Sequence, residues 1–321
     1  MGGESAGARP DPGAPARAAE DAGATRRSSR FSAWWVAARP KTLPAAAVPV
    51  LVGGATAWQA GAFALGPWLA ALAGGLAIQV GTNFANDVFD YEQGADTEDR
   101  LGPTRAVAAG MVSPRAMRWA MVLAFGAAMA VGVYLVARGG WVVVAIGLAS
   151  VASGIFYTAT RYSLAYLGLG DVFVLLFFGG VAVAGTHYVQ ALSVSPFVFA
   201  AAWPVGAWAT NIIVVNNLRD RATDAAVGKR TLAVRLGRKF CVAEYAVLAA
   251  SAYGVSAWAA WSEGAPWLAL PWLTLPAAVL RIRQLTVLEG RDLNPLLGGT
   301  AQMLLMFGVL WALAIAGTGP S

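Results

Sequence analysis

Two short stretches carry side chains whose types and spacing could do chemistry. Asn83, Asp87 and Asp90 stand at i, i+4 and i+7, and Asn217, Asp220 and Asp224 at i, i+3 and i+7. Both spacings share one face of a helix. Two such stripes facing each other would gather four or more carboxylates in one place, which is unfavourable unless cations neutralise them. Oxygen donors without His or Cys suit Mg²⁺, which keeps waters and binds through one or two carboxylates plus substrate phosphates. Two stripes would then hold a diphosphate between bridging magnesium ions. Lys41, Arg105 in Gly102-Pro103-Thr104-Arg105, Arg161, and Lys229 beside Arg230 supply the basic half of such a site. Arg and Lys clamp phosphate oxygens and stabilise charge on a departing diphosphate. The plainer reading of the acidic run is a solvated loop, and of the basic residues a topology signal alone.

The elements that must position these residues are membrane helices. The chain has 321 residues, of which 58% are hydrophobic and only 12% charged, about half the roughly 25% of a soluble domain. That composition describes an all-α integral membrane protein. A single Cys241 and a single His187 exclude disulfides, Cys/His zinc clusters and a Cys–His nucleophile pair. Nine apolar stretches approach or reach the length that crosses about 30 Å of hydrocarbon: 42–60, 67–86, 116–137, 140–158, 169–189, 195–217, 240–262, 265–282 and 293–317. With nine spans, 22 of the 23 Lys and Arg fall on one side and only Arg138 on the other. The positive-inside rule then places the N-terminus in the cytoplasm and the C-terminus outside, in the plasma membrane. Residues 1–30, rich in Ala, Pro, Gly and Arg and lacking the apolar core of a signal peptide, read as a disordered cytoplasmic tail.

The acidic residues cluster on that same side. Six of the 17 lie between Asp87 and Asp99. Asn86-Asp87-x-x-Asp90 at the end of the second span is echoed 130 residues later by Asn216-Asn217-x-x-Asp220 at the end of the sixth, and repeats that meet near a shared site are a common membrane architecture. The net charge of +6 therefore reads as topology plus a diphosphate clamp, and not as a nucleic-acid surface. Asp171 reads as a helix N-terminal residue, His187 and Cys241 as structural residues, and most of the 13 Trp as an interfacial belt.

These features together resemble the UbiA superfamily of intramembrane prenyltransferases over about 40–317, with the nearest likeness in the 1,4-dihydroxy-2-naphthoate polyprenyltransferase branch. The segments that carry the likeness are Ala38-Arg39-Pro40-Lys41-Thr42-Leu43-Pro44, Asn83 to Asp90 through Gly94-Ala95-Asp96-Thr97, Leu101 to Val107, and Asn217-Leu218-Arg219-Asp220 through Asp224 to Gly228-Lys229-Arg230-Thr231-Leu232. The resemblance implies a prenyltransferase membrane domain over 31–321, with nine helices around a central cavity. It implies Asn86, Asp87 and Asp90 as metal ligands of a first motif and Asp220 and Asp224 of a second. Tyr157 and Arg161 match a Tyr-x-x-x-basic element near the diphosphate. Gly94 stands where the wider family often has a further Asp, and Asp96 follows two residues later, as in the naphthoate branch.

The reaction so implied is ionisation of a polyprenyl diphosphate followed by attack of an electron-rich aromatic carbon. In the naphthoate branch, loss of the ring carboxylate then gives a demethylmenaquinone. The same motifs serve a donor joined to a different aromatic acceptor. From another class, a cation-coupled transporter also carries intramembrane carboxylates, but nearer the bilayer midplane.

Overall fold

The computed structural model describes residues 31–94, 101–156 and 167–320. The predicted tail over 1–30, Asp96, Tyr157 and Arg161 lie outside the described residues. All regular structure among the described residues is helical. A short helix over 31–38 (α1) leads through a 3₁₀ turn, Pro40–Thr42, into α2 (Pro44–Gln59), α3 (Leu65–Glu92), α4 (Pro114–Gly139) and α5 (Trp141–Phe156). There follow α6 (Gly170–Ala191), α7 (Pro196–Arg219), the short α8 (Arg221–Ala226), α9 (Leu232–Ser262), a 3₁₀ segment Pro266–Thr274, α10 (Leu275–Val287) and α11 (Leu293–Ala316).

Local chemistry marks where these helices start and stop. Proline opens α2, α4 and α7, where its missing N–H and fixed φ cost nothing. Ser113 caps α4 by accepting from the Ala116 N–H at 3.2 Å. Gly140, at φ 65°, reverses the chain between α4 and α5, a backbone shape glycine adopts without steric cost. Gly237, at φ 76°, interrupts α9 near its start.

Among the described residues, six helices are long and apolar enough to cross a membrane: α3, α4, α6, α7, α9 and Gly290–Ala316, which contains α11. The other three predicted stretches are helical over shorter lengths among the described residues. α2 and α5 have 16 residues each, and the eighth stretch divides into the 3₁₀ segment Pro266–Thr274 and the 13-residue α10. That stretch holds three prolines, and beyond Pro266 at its start, Pro271 and Pro276 remove backbone donors where a continuous helix would need them.

Two packed groups form the body. In the larger, α2, α6, α7, α9 and α11 close around Trp208, Tyr245, Phe307 and Trp311. In the smaller, α1, α3 and α4 enclose Phe84, Val88 and Met117 together with Ala106 and Val107 of the α3–α4 connection. Lipid tails are as apolar as the side chains, so close fit and not water exclusion holds such helices together. At the α6–α7 crossing a methyl group on Gly179 would sit 2.9 Å from the Gly206 Cα, so glycine there permits backbone to meet backbone.

Candidate active site

One large cavity, about 1100 Å³, lies where the two groups meet. On α3 its wall is a stripe comprising Ile78, Gln79, Thr82, Asn83, Asn86 and Asp90. On the opposite side α7 contributes Ile212, Ile213, Asn216, Asn217 and Asp220, and α8 adds Thr223 and Asp224. The two acidic motifs, 130 residues apart in sequence, therefore open into one space. Lys41, Arg105 and Lys229 also line it. Beyond this polar end the wall becomes apolar, with Val143, Val144 and Ile146 of α5 and Phe173, Phe177, Phe178 and Val181 of α6. Leu175–Val181 is a π-helical segment, and Phe177 stacks on Phe173 with ring centroids 4.2 Å apart. Such wide turns recur at functional sites.

Asp90 is 5% exposed and forms a buried ion pair with Arg105. Asp220, the residue that follows α7, is gripped by the Arg219 guanidinium through Nε at 2.8 Å and a terminal nitrogen at 2.5 Å. Arg219 also donates to Asn216 Oδ1 at 2.9 Å and to Asn294 Oδ1 at 3.0 Å. Lys229 Nζ stands 3.7 Å from Asp224 Oδ1. Burial pushes the Asp224 carboxyl up to about 6, with Asp220 and Asp90 nearby adding to the rise and Lys229 and Arg219 opposing it.

Asn83 occupies the cavity wall and commits its amide nitrogen to the α1–α2 junction, donating to Ala38 O at 2.8 Å and Thr42 Oγ1 at 2.9 Å. Thr42 in turn donates to Arg39 O at 2.9 Å. These bonds hold the junction where Arg39 takes a left-handed backbone, φ 51°, a conformation that costs a non-glycine residue energy and persists only under such constraint.

Two features depart from the sequence expectation. Asp87 does not line the cavity: its oxygens accept the backbone N–H groups of Ala106 at 3.0 Å and Val107 at 2.9 Å. At about 100° per residue, Asp87 lies about 40° to one side of Asn83 and Asn86 about 60° to the other, so Asp87 sits at the edge of the shared face that meets the α3–α4 connection. The second stripe is not one continuous helix either. α7 ends at Arg219, Asp220 takes φ −90° and ψ 6°, and Asp224 belongs to α8. Asn217, Asp220 and Asp224 nevertheless all reach the cavity.

Sequence reasoning missed Arg219, Asn216 and Asn294 as site residues. Arg219 carries a weak signal, because an Arg at the end of an apolar helix beside an Asp is expensive unless paired. Asn294 carries none, since its partners Arg219 and Leu101 are far away in the chain. Asp171 and His187 are buried and off the cavity wall, and His187 Nδ1 lies 3.0 Å from Thr56 Oγ1.

Among the described residues, no three His, Cys, Asp or Glu side chains converge tightly enough to cage a metal unaided. The oxygen donors instead sit on facing walls, which suits a divalent ion that completes its shell with water and substrate oxygens.

A family model described as the UbiA prenyltransferase family matches residues 46–295. The chain belongs to that family. It is 38% identical over 295 residues to a 1,4-dihydroxy-2-naphthoate octaprenyltransferase of Mycobacterium tuberculosis, covering 89% of this chain and 96% of the relative. It is 31% identical over 302 residues to the protein of the same name from Haemophilus influenzae, covering 90% and 97%. The fold matches that of a UbiA homolog from Archaeoglobus fulgidus bound to GPP and Mg²⁺, with TM-score 0.64 and 15% identity over 89% of this chain and 98% of that one. It also matches a UbiA homolog from Aeropyrum pernix K1, with TM-score 0.65 and 16% identity over 83% and 96%. This UbiA-family chain thus presents its two acidic motifs, their basic partners and the apolar extension as one cavity.

Proposed function

We propose that this protein is a Mg²⁺-dependent 1,4-dihydroxy-2-naphthoate polyprenyltransferase. It moves the prenyl group of an allylic polyprenyl diphosphate to the naphthoate ring, with loss of diphosphate and of the ring carboxylate as CO₂, and yields the quinol form of a demethylmenaquinone. The observation that carries this reading is the cavity itself, with Asp90, Asp220 and Asp224 balanced by Arg105, Arg219 and Lys229 at one end and Phe177, Phe178 and Val181 further along it. The names of the relatives support the acceptor and the place in menaquinone synthesis.

Asn86, Asp90, Asn217, Asp220 and Asp224 are the oxygen donors that would hold the metal. There Mg²⁺ would neutralise charge developing on the departing diphosphate. Arg105, Lys229 and Lys41 bind and orient the phosphate oxygens, and their fixed charges favour the ionised state over the intact ester. Arg219 keeps Asp220 and Asn216 aimed at the site. The apolar wall shelters the isoprenoid chain and excludes water from the allylic cation, so that the ring carbon and not water captures it. Nine membrane-spanning segments, with the N-terminus and the site on the cytoplasmic side of the plasma membrane, accord with the distribution of Lys and Arg and place a lipid-dissolved donor beside the cavity.

The test crosses acceptors with donor lengths, using purified full-length protein, Mg²⁺ and several prenyl diphosphates. 1,4-Dihydroxy-2-naphthoate is expected to be prenylated in preference to 4-hydroxybenzoate. Preference for another acceptor overturns the acceptor assignment, and substrate uptake by proteoliposomes without diphosphate release overturns the enzyme reading.

A further inference from the structure

Asp87 is 1% exposed, and both its oxygens are taken by the consecutive amides of Ala106 and Val107 at 3.0 and 2.9 Å. Charge-assisted bonds of this kind are the strong ones. For Asp87 to ligate a metal, its carboxylate would have to abandon both amides, and a buried donor left without a partner costs the full desolvation penalty. The two amides also belong to the residues that directly follow Arg105, whose guanidinium pairs with Asp90. The Ala106 and Val107 side chains pack with Phe84, Val88 and Met117, which seats the same peptide units from the other side. Asn294 supplies a second anchor, donating to Leu101 O at 2.9 Å. In the sequence echo the counterpart of Asp87 is Asn217, so a carboxylate at this position belongs to the first motif alone, where the cation must be delivered by a loop.

We infer that Asp87 is a positioning residue, which latches the 101–112 connection so that Arg105 is presented to the diphosphate, and is not a ligand of the divalent metal. The inference rests on the diphosphate-site reading for the role of Arg105, whereas the latch itself is measurable without substrate.

Hydrogen–deuterium exchange of the full-length, metal-free protein tests it. Asp87→Asn replaces one acceptor oxygen by an NH₂ facing a backbone N–H, so exchange at Ala106 and Val107 is expected to rise about tenfold, while Asp220→Asn leaves it unchanged. Unchanged exchange in Asp87→Asn overturns the proposal. Wild-type protein provides a measurement that needs no variant: Mg²⁺ with inorganic diphosphate is expected to slow exchange around 216–229 and to leave the two amides protected. Their deprotection on Mg²⁺ binding means that Asp87 has left them for the metal, which refutes the latch. No slowing around 216–229 counts against the diphosphate-site reading and not against the latch.

Kinetics adds a split that a merely structural role would not produce. Asp87→Asn is expected to raise the KM for prenyl diphosphate about tenfold with the half-saturating Mg²⁺ concentration unchanged, and to add little in an Arg105→Gln background. A rise in Mg²⁺ requirement equal to that of Asp220→Asn overturns the proposal.

Discussion

The two acidic helix ends look alike in sequence and are built differently. At the end of α3, Asp90 takes its cation from Arg105, 15 residues on in a loop, and that loop is itself tied to Asp87. At the end of α7, Asp220 takes its cation from the adjacent Arg219, which is anchored to Asn216 and Asn294. One half of the site therefore depends on a connection folding correctly over its helix, and the other is fixed by neighbours on α7 and α11. The comparison teaches that an acidic motif is more than a ligand set. In each half one Asp faces the cavity paired with an Arg, and further polar side chains hold that pair.

The largest effects should follow from removing the cavity-facing carboxylates. Asp90→Ala and Asp220→Ala each delete an oxygen donor and leave a buried Arg without its counter-charge, and each is expected to lower kcat/KM by about a hundredfold or more, measured by prenyl transfer. Next come the cations, which separate the two halves. Arg219→Gln breaks bonds to three side chains and is expected to lower both activity and thermal stability. Arg105→Gln should chiefly raise the KM for the diphosphate.

A smaller effect is the pH dependence of Asp224. Its carboxyl is pushed up from 3.8 to about 6 by burial, so the folded protein holds this proton more tightly than the unfolded chain. On this account alone, stability falls as pH rises from 3.8 through about 6, and full carboxylate character appears only above that value. Metal binding expels the proton, so Mg²⁺ affinity is expected to weaken by up to about tenfold per pH unit below 6, read by calorimetry, and to flatten in Asp224→Asn. The smallest effect lies away from the site. Thr56→Val removes the contact with His187 Nδ1 and is expected to cost about 1 kcal/mol of stability with kcat unchanged, measured by thermal unfolding and by the transfer assay.

Much of the site was readable from residue type and period. Asn83, Asp90, Asn217, Asp220 and Asp224 reach one cavity: for Asn83 and Asp90 helical spacing at the end of an apolar helix marks the polar face, whereas Asp224 gets there on a separate short helix. The partners were not readable. Asp87 and Asp90 are only three residues apart, and period alone does not say which one meets a loop 20 residues downstream and which faces the cavity. Asn294 reaches Leu101 O across 193 positions, a contact set by how α11 packs and by no local pattern. The eighth apolar stretch had the hydropathy of a span, yet its prolines divide it, a case of backbone donors overriding side-chain polarity.

The central claim is that the two acidic helix ends form one site for ionising a prenyl diphosphate. Its most direct test follows diphosphate release and prenylated quinol together, in purified full-length protein given Mg²⁺, a polyprenyl diphosphate and 1,4-dihydroxy-2-naphthoate. The two products are expected to form in equal amounts, and both to fall about a hundredfold or more in Asp90→Ala and in Asp220→Ala. Full turnover in either variant would contradict that claim.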